Sequence, residues 1–334
     1  MHRWVLFSAL AVAPAWAGQT EFTREVTAAP RVRVTTSGAL ELAPGAARQV
    51  RYSVKLAGAA VRVVRQGEWV TIAAPRAVWM RVEIPAQARA VAAWSSGGSI
   101  KAGGLHCAAE LTTGAGDIEI GTIEGAVRAA AAVGRIRVEL IRGDATLQTG
   151  GGDITAREIG GTVDATTAGG AVRIVRAGGI VLARSGGGPV EVGQAGGAVT
   201  VRSLAGAIDV GPSETVQCES AAGAIRLAGV RGSVRASTAV GSIVANLLAG
   251  KAAGESFLTT GNGDIIVYIP SNLGVNVLAA NALADSVRRI VSEFPGVPVR
   301  VQGTQVVAEG AINGGGPLLR INGANGTIYI RQQH

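Results

Sequence analysis

The feature that most constrains this chain is a glycine followed two positions later by an aliphatic residue, recurring every 18 residues. Gly98, Gly116, Gly134, Gly152, Gly170, Gly188 and Gly206 precede Ile100, Ile118, Ile136, Ile154, Val172, Val190 and Ile208. Gly223 with Ile225 and Gly241 with Ile243 continue the series after one residue is dropped; Gly263 with Ile265 follows a four-residue insertion near Lys251. Nine residues after the first glycine stands a second (Gly125, Gly143, Gly161, Gly179, Gly197, Gly232), again leading a small apolar residue such as Val127, Ala145 or Val163. The half-repeat reads Gly-x-apolar-x-apolar. Alternation over so few residues marks a half-buried strand, and the glycine marks a corner where the backbone needs relief. Such a strand cannot bury its apolar face alone, so the repeats must stack. The expected fold is all-β: a right-handed parallel β-solenoid with 18-residue coils, two short strands per coil, and about ten coils over residues 95–270.

Two other solenoids share this coil length and are excluded by residue type. A hexapeptide helix needs an apolar residue every six positions, but Glu124 and Ala130 follow Ile118 at that spacing and Arg142 follows Ile136. A calcium β-roll needs carboxylates in consecutive coils. Here Asp117, Asp153 and Asp264 directly precede Ile118, Ile154 and Ile265, while Arg135, Ala171, Pro189, Ala207, Ala224 and Ser242 hold that position elsewhere. These aspartates read as turn residues, and no metal or cofactor is expected. The residue after the anchor runs Lys101, Glu119, Arg137, Thr155, Arg173, Glu191, Asp209, Arg226. Stacked at roughly 4.8 Å, these side chains make a solvated, self-neutralising ladder.

The repeat also places the two cysteines. Cys218 falls in a core column with Ala129, Leu147, Ala165 and Val201, whereas Cys107 replaces a corner glycine and is expected to be partly exposed. Six coils separate them, roughly 29 Å against the ~6 Å of a disulfide, so both thiols are expected to be free.

Outside the repeat, residues 18–94 alternate without the 18-residue register: Arg31-Val-Arg-Val, Gln49-Val-Arg-Tyr-Ser-Val-Lys-Leu, Val61-Arg-Val-Val and Trp69-Val-Thr-Ile. They predict antiparallel strands, a β-meander capping the open end of the stack. Residues 271–334 predict a short C-terminal β cap, with helical spacing at Val287, Ile290, Val291 and Phe294 and closing strands at Gly316-Pro-Leu-Leu-Arg-Ile and Gly326-Thr-Ile-Tyr-Ile. At the other terminus, His2 and Arg3 lead an apolar run, Trp4 to Val12, too short to span a bilayer. Ala15-Trp16-Ala17 then gives a small-x-small cleavage pattern. Residues 1–17 therefore read as a signal peptide cut after Ala17, and the mature chain as exported, periplasmic or extracellular at the cell surface. Gly18 in place of a cysteine argues against a lipid anchor, and no later apolar run is long enough for an integral membrane span.

The net charge of +8 comes mostly from arginine and fits either a polyanion partner or a solvated surface. The self-neutralising ladder favours the second, and no nucleic-acid partner is expected. At 48 % apolar residues the chain is too hydrophobic to be disordered.

Several segments resemble bacterial exported β-strand-repeat proteins of the putative-adhesin family. They are Val82-Glu-Ile-Pro, Gly114-Ala-Gly-Asp-Ile-Glu-Ile, Gly261-Asn-Gly-Asp-Ile-Ile-Val-Tyr-Ile-Pro, Ser292-Glu-Phe-Pro and Gly314-Gly-Gly-Pro-Leu-Leu-Arg-Ile-Asn-Gly-Ala-Asn-Gly-Thr-Ile-Tyr-Ile. The resemblance implies a β-solenoid and a bacterial envelope setting, and no catalytic residues.

Residue chemistry points the same way. Only His2, His106 and His334 are available for a triad or a zinc site, and no Cys-x-x-Cys occurs. Glycine runs such as Gly186-Gly-Gly lack the Gly-Lys-Ser/Thr of a phosphate loop. The best ligand candidate is a column of Asp117, Arg135 and Asp153, whose aspartates stand two coils, roughly 10 Å, apart. Trp69, Trp79 and Trp94 fall outside the coils, leaving their faces without stacking platforms. The expected role is a non-enzymatic, adhesin-like envelope or surface protein, monomeric, presenting flat solenoid faces to an envelope protein or a glycan. The alternative is carbohydrate binding or processing on the Asp-Arg-Asp column. End-to-end polymerisation is disfavoured by the irregular, proline-bearing ends.

Overall fold

The computed structural model describes residues 19–27, 29–45, 48–57, 60–248, 254–282 and 289–333. The expected signal peptide, the insertion near Lys251 and Val287 lie outside them. The described residues are all-β; no helix among them is long and apolar enough to cross a membrane. The chain divides into two compact units, Met1–Gly134 and Arg135–His334.

In the second unit, strands alternate between two parallel sheets. One sheet pairs Ile136 with Ile154, Val172, Val190, Ile208, Ile225, Ile243 and Ile265 in succession. The other pairs Ala145 with Val163, Val181, Val199, Val216 and Val234. Sequence repeat and strand register therefore coincide. The alternating aliphatics face inward: Ile154, Ala156, Ile159, Val163 and Ala165 have no exposed surface. Removing such side chains from water contributes roughly 1.5–3 kcal/mol for each Val, Leu or Ile, and this gain exists only where one coil covers the next.

The corner glycines have a reason beyond backbone relief. At Gly170, Gly188 and Gly206 a β-carbon would overlap the carbonyl of the glycine one coil earlier. Positive φ occurs in this column only toward its end, at Gly241, Gly263 and Gly326. Close approach, rather than dihedral freedom, excludes a side chain through most of the stack. A buried hydroxyl three residues before Gly170, Gly188 and Gly206 holds the corner. Ser185 Oγ donates to the Gly170 carbonyl at 2.9 Å and accepts from Gly188 N–H at 3.0 Å. Thr167 does the same between Gly152 and Gly170, at 2.9 and 3.1 Å. Backbone groups that a tight corner would orphan are thereby satisfied.

The end of this unit departs from simple succession. The last segments, Leu318–Asn325 and Ile328–Gln333, insert between earlier ones. Leu318–Asn325 pairs in parallel with both Ser256–Asn262 and Val275–Ala282, and Ile328–Gln333 with both Ile265–Pro270 and Ile290–Ser292. Antiparallel strands Gln305–Ile312 and Val299–Gln302 close the edge. The expected short helix is absent where it can be followed. Ile290–Ser292 is a strand because Ile290 docks against Ile328 in the sheet, so tertiary pairing overrides the helical spacing.

The first unit mirrors this arrangement and corrects the expected meander. Arg31–Thr36 pairs in parallel with both Trp69–Ala74 and Ala90–Ser95, and Ala39–Gly45 with both Ala77–Pro85 and Ile100–Ala102. Antiparallel pairing among the described residues of this unit comes from Gln49–Ala57, which lies between Ala77–Pro85 and the edge strand Gln19–Thr27, and from Arg62–Gln66, which pairs with Trp69–Ala74. Gly38-Ala-Leu40 is a hidden copy of the repeat motif: Leu40 pairs with Ile100, and a β-carbon at Gly98 would strike Gly38. Cys107 is another correction. It is 6 % exposed, beside a hollow lined by Pro44, Ile84, Pro85 and Ala88, and burial pushes its thiol pKa up. Cys218 is fully buried and its pKa is raised for the same reason. Both thiols are free.

Candidate functional site

The expected Asp-Arg-Asp column divides between the units. Asp117, in the first, is half-buried, and its backbone N–H donates to Ser99 Oγ at 3.3 Å while its carbonyl accepts from Ile100 N–H. Arg135 and Asp153, in the second, are exposed. Asp153 Oδ1 accepts from the Ala171 N–H of the next coil at 2.8 Å. Asp264 does the same for Thr327 and Asp144 for Thr162, each at 2.8 Å. A carboxylate engaged this way ties one corner to the next, the turn role expected from its position before the anchor residue.

The outward ladder consists largely of ion pairs between adjacent strands. Lys101 meets Glu119 at 2.9 Å in the first unit, and Arg173 meets Glu191 at 2.8 Å in the second. Arg157 bonds Glu139, Arg184 reaches Asp164 at 3.2 Å and Arg202 reaches Glu219 at 3.1 Å. The adjacent carboxylate of Glu119 raises the pKa of Lys101. These faces satisfy their own charge.

Aromatic residues are distributed differently. None occurs from Ser95 to Ser256. In the second unit Arg331 lies 5.1 Å from the ring centre of Tyr329, Tyr268 pairs with Arg331 on the adjacent strand, and Arg235 lies 4.7 Å over Phe257. In the first unit Trp69 carries two guanidinium groups, Arg33 at 4.6 Å and Arg31 at 5.6 Å from its ring centre. Arg31 is tied to Glu68 at 3.6 Å; no carboxylate among the described residues pairs with Arg33.

Strand register puts these first-unit residues in a line. Trp69 pairs with Arg31 and Arg31 with Ala90; Arg33 pairs with Thr71 and Ala92; Thr35 pairs with Ala73 and Trp94. Trp69, Arg33 and Trp94 therefore form a diagonal across three adjacent parallel strands. Each step crosses one strand and two residues, about 8 Å. Thr71, Ala73, Thr35, Ala90 and Ala92 fill the rest of the outward face with short side chains, and Trp94 stands 47 % exposed above them.

This corrects the expectation that the tryptophans lie off the stacked strands. The signal was present in the alternation Arg31-Val32-Arg33-Val34, Trp69-Val70-Thr71-Ile72 and Ala90-Val91-Ala92-Ala93-Trp94, which points the polar and aromatic positions to one side. What the sequence lacked was the parallel order of the three strands.

No family model matches the chain, and no curated protein matches it. Similar solved structures include a putative adhesin from Bacteroides fragilis, 12 % identical, covering 95 % of this chain and 99 % of that one at a TM-score of 0.33. A putative cell adhesion protein from Clostridium sporogenes is 10 % identical, covering 95 % and 100 % at 0.24. A putative lipid binding protein from Parabacteroides distasonis is 10 % identical, covering 94 % and 97 % at 0.25.

Proposed function

We propose that this chain is a non-enzymatic, adhesin-like interaction protein of the bacterial envelope. In this reading, it is exported with cleavage after Ala17, works as a monomer, and presents the flat outer faces of a right-handed parallel β-solenoid to an envelope protein or a glycan. The handedness rests on the strong preference of parallel crossover connections for the right-handed form. One observation carries the function. Paired charges line the outer faces along the repeats, whereas aromatic side chains beside arginines stand near both ends of the chain, Trp94 exposed and Trp69, Phe257 and Tyr329 half-buried. Aromatic residues and arginine are the residue types enriched at contact sites.

The test immobilises the mature chain and presents envelope extracts, matrix proteins and a glycan panel, with substrate turnover assayed in the same wells. Saturable, salt-resistant capture without turnover is the expected result. Cleavage or modification of any panel member would overturn the non-enzymatic reading; no capture at all would overturn the interaction reading.

A further inference from the structure

We infer that the Trp69–Arg33–Trp94 diagonal binds an anionic polysaccharide, with a pyranose ring on Trp94 and its carboxylate or sulfate on Arg33. The inference rests on the interaction reading above and names the ligand class. Trp94 is the platform. It is 47 % exposed on a flat face floored by short side chains, so a sugar's C–H face can lie on it unobstructed. Arg33 supplies the anion fork. Its guanidinium carbon lies over Trp69, 4.6 Å from the ring centre, and a guanidinium held over a ring face can keep its edge donors for a ligand. With no carboxylate partner among the described residues, it offers bidentate hydrogen bonds to an incoming anion.

The rest of the face favours an anion over a neutral sugar. Arg31 lies beside Arg33 on the same strand, its charge partly met by Glu68. Glu110 shares the row of Arg33 two strands away, with Arg128 beyond it. The chain's net charge of +8 draws polyanions toward it at long range. The two rings stand about 16 Å apart along the diagonal, room for several linked sugar rings. An apolar peptide would bury the rings but leave the Arg33 guanidinium desolvated without a partner, which is costly.

The experiment is isothermal titration of the mature chain with polygalacturonate, dextran sulfate and neutral dextran at physiological salt. The first two probes distinguish carboxylate from sulfate recognition. Expected are saturable binding of at least one polyanion and none of neutral dextran. Affinity should fall at least tenfold in Trp94→Ala and in Arg33→Gln, and less in Arg33→Lys. Arg173→Gln, in the self-paired ladder, should bind as the parent does. Thermal midpoints check that these surface variants stay folded.

Equal losses in Arg33→Gln and Arg173→Gln would mean unspecific charge attraction and overturn the inference; so would no polyanion binding. A Trp94→Ala/Arg33→Gln double variant that binds no polyanion, yet is still captured by envelope extracts, would separate this site from the broader interaction role. Undiminished polyanion binding by that double variant would place the glycan elsewhere and refute the diagonal.

Discussion

The middle of the second unit and its C-terminal end are built from the same motif but teach different lessons. From Ile154 to Val240 each strand pairs with the strand one repeat before it and the strand one repeat after it. At the end, Leu318–Asn325 and Ile328–Gln333 lie between strands that precede them in sequence by some 30 to 60 residues. The middle can lose a rung and close up; the end cannot, because its inserted coil bridges both neighbours. The first unit repeats the device with Arg31–Thr36 and Ala39–Gly45 held between later strands. Nearest-neighbour stacking makes a modular array, and intercalated terminal coils lock its ends and cover edges that would otherwise pair with other chains.

The largest effect should come from breaking that lock. Truncation before Leu318 removes the coil that covers Ser256–Asn262 and Ile265–Pro270. Deleting residues 172–189 instead removes one repeat and rejoins Ala171 to Val190, the residue that occupies the next rung. The truncated chain is expected to aggregate or lose a cooperative denaturation transition, while the internal deletion stays soluble and cooperative with a modestly lower midpoint. Equivalent behaviour of the two in size-exclusion and denaturant titration would mean the end is just another rung.

The same contrast explains what could be read from the sequence. Ile154, Val172 and Val190 announce their partners by spacing alone, since neighbours in sequence are neighbours in space. Gly38-Ala-Leu40 obeys the motif equally well, but its partner Ile100 is 60 residues away across five intervening strands, so no period reveals it. Trp94 was visible as a residue, whereas its alignment with Arg33 and Trp69 depends on that hidden register. The hydroxyls of Thr167 and Ser185 keep a fixed spacing to their glycines, yet they occupy inward positions where the pattern calls for apolar side chains.

Next in size is Gly206→Val. Its β-carbon would overlap the Gly188 carbonyl in a corner packed on both sides, and a loss of roughly 3 kcal/mol or more is expected from such a backbone clash. Gly303, in the turn between Val299–Gln302 and Gln305–Ile312, has φ +60° and nothing within 4 Å of a would-be β-carbon. Gly303→Ala should cost only about 1–2 kcal/mol, the left-handed conformation alone. Chemical denaturation of the pair distinguishes close approach in the middle from dihedral strain at the end. Thr167→Val follows at about 1–3 kcal/mol, because it strands the half-buried Gly152 carbonyl and Gly170 N–H.

A smaller effect depends on pH. Burial raises the Cys218 pKa above its ordinary value of 9.0, so the folded state holds the proton longer than the unfolded one. The stability this linkage provides is complete below pH 9 and declines above it, by about 1.4 kcal/mol per pH unit while the folded thiol stays protonated. Urea titrations of the parent and Cys218→Ala on either side of pH 9 check this. The alanine variant should lose stability less steeply with rising pH, and parallel curves would show that the thiol contributes nothing.

The smallest effect separates the charges of the middle from those of the aromatic face. Arg173 and Glu191 meet at 2.8 Å, but both side chains are about half exposed. Water and salt screen such a pair, so a double-mutant cycle on Arg173→Gln and Glu191→Gln should return a coupling under about 1 kcal/mol that shrinks further at high salt. Coupling well above that would make the ladder a structural element and put the rigidity of the middle in its surface as well as its core. With the expected weak coupling, the ladder's contribution is neutrality: the guanidinium groups of Arg157, Arg173, Arg184 and Arg202 already face a carboxylate one strand away and attract little else. Arg33 differs from Arg173 in lying over Trp69 with no acidic partner among the described residues. The same Arg→Gln change should therefore be almost silent in stability at both positions and affect polyanion binding only at Arg33.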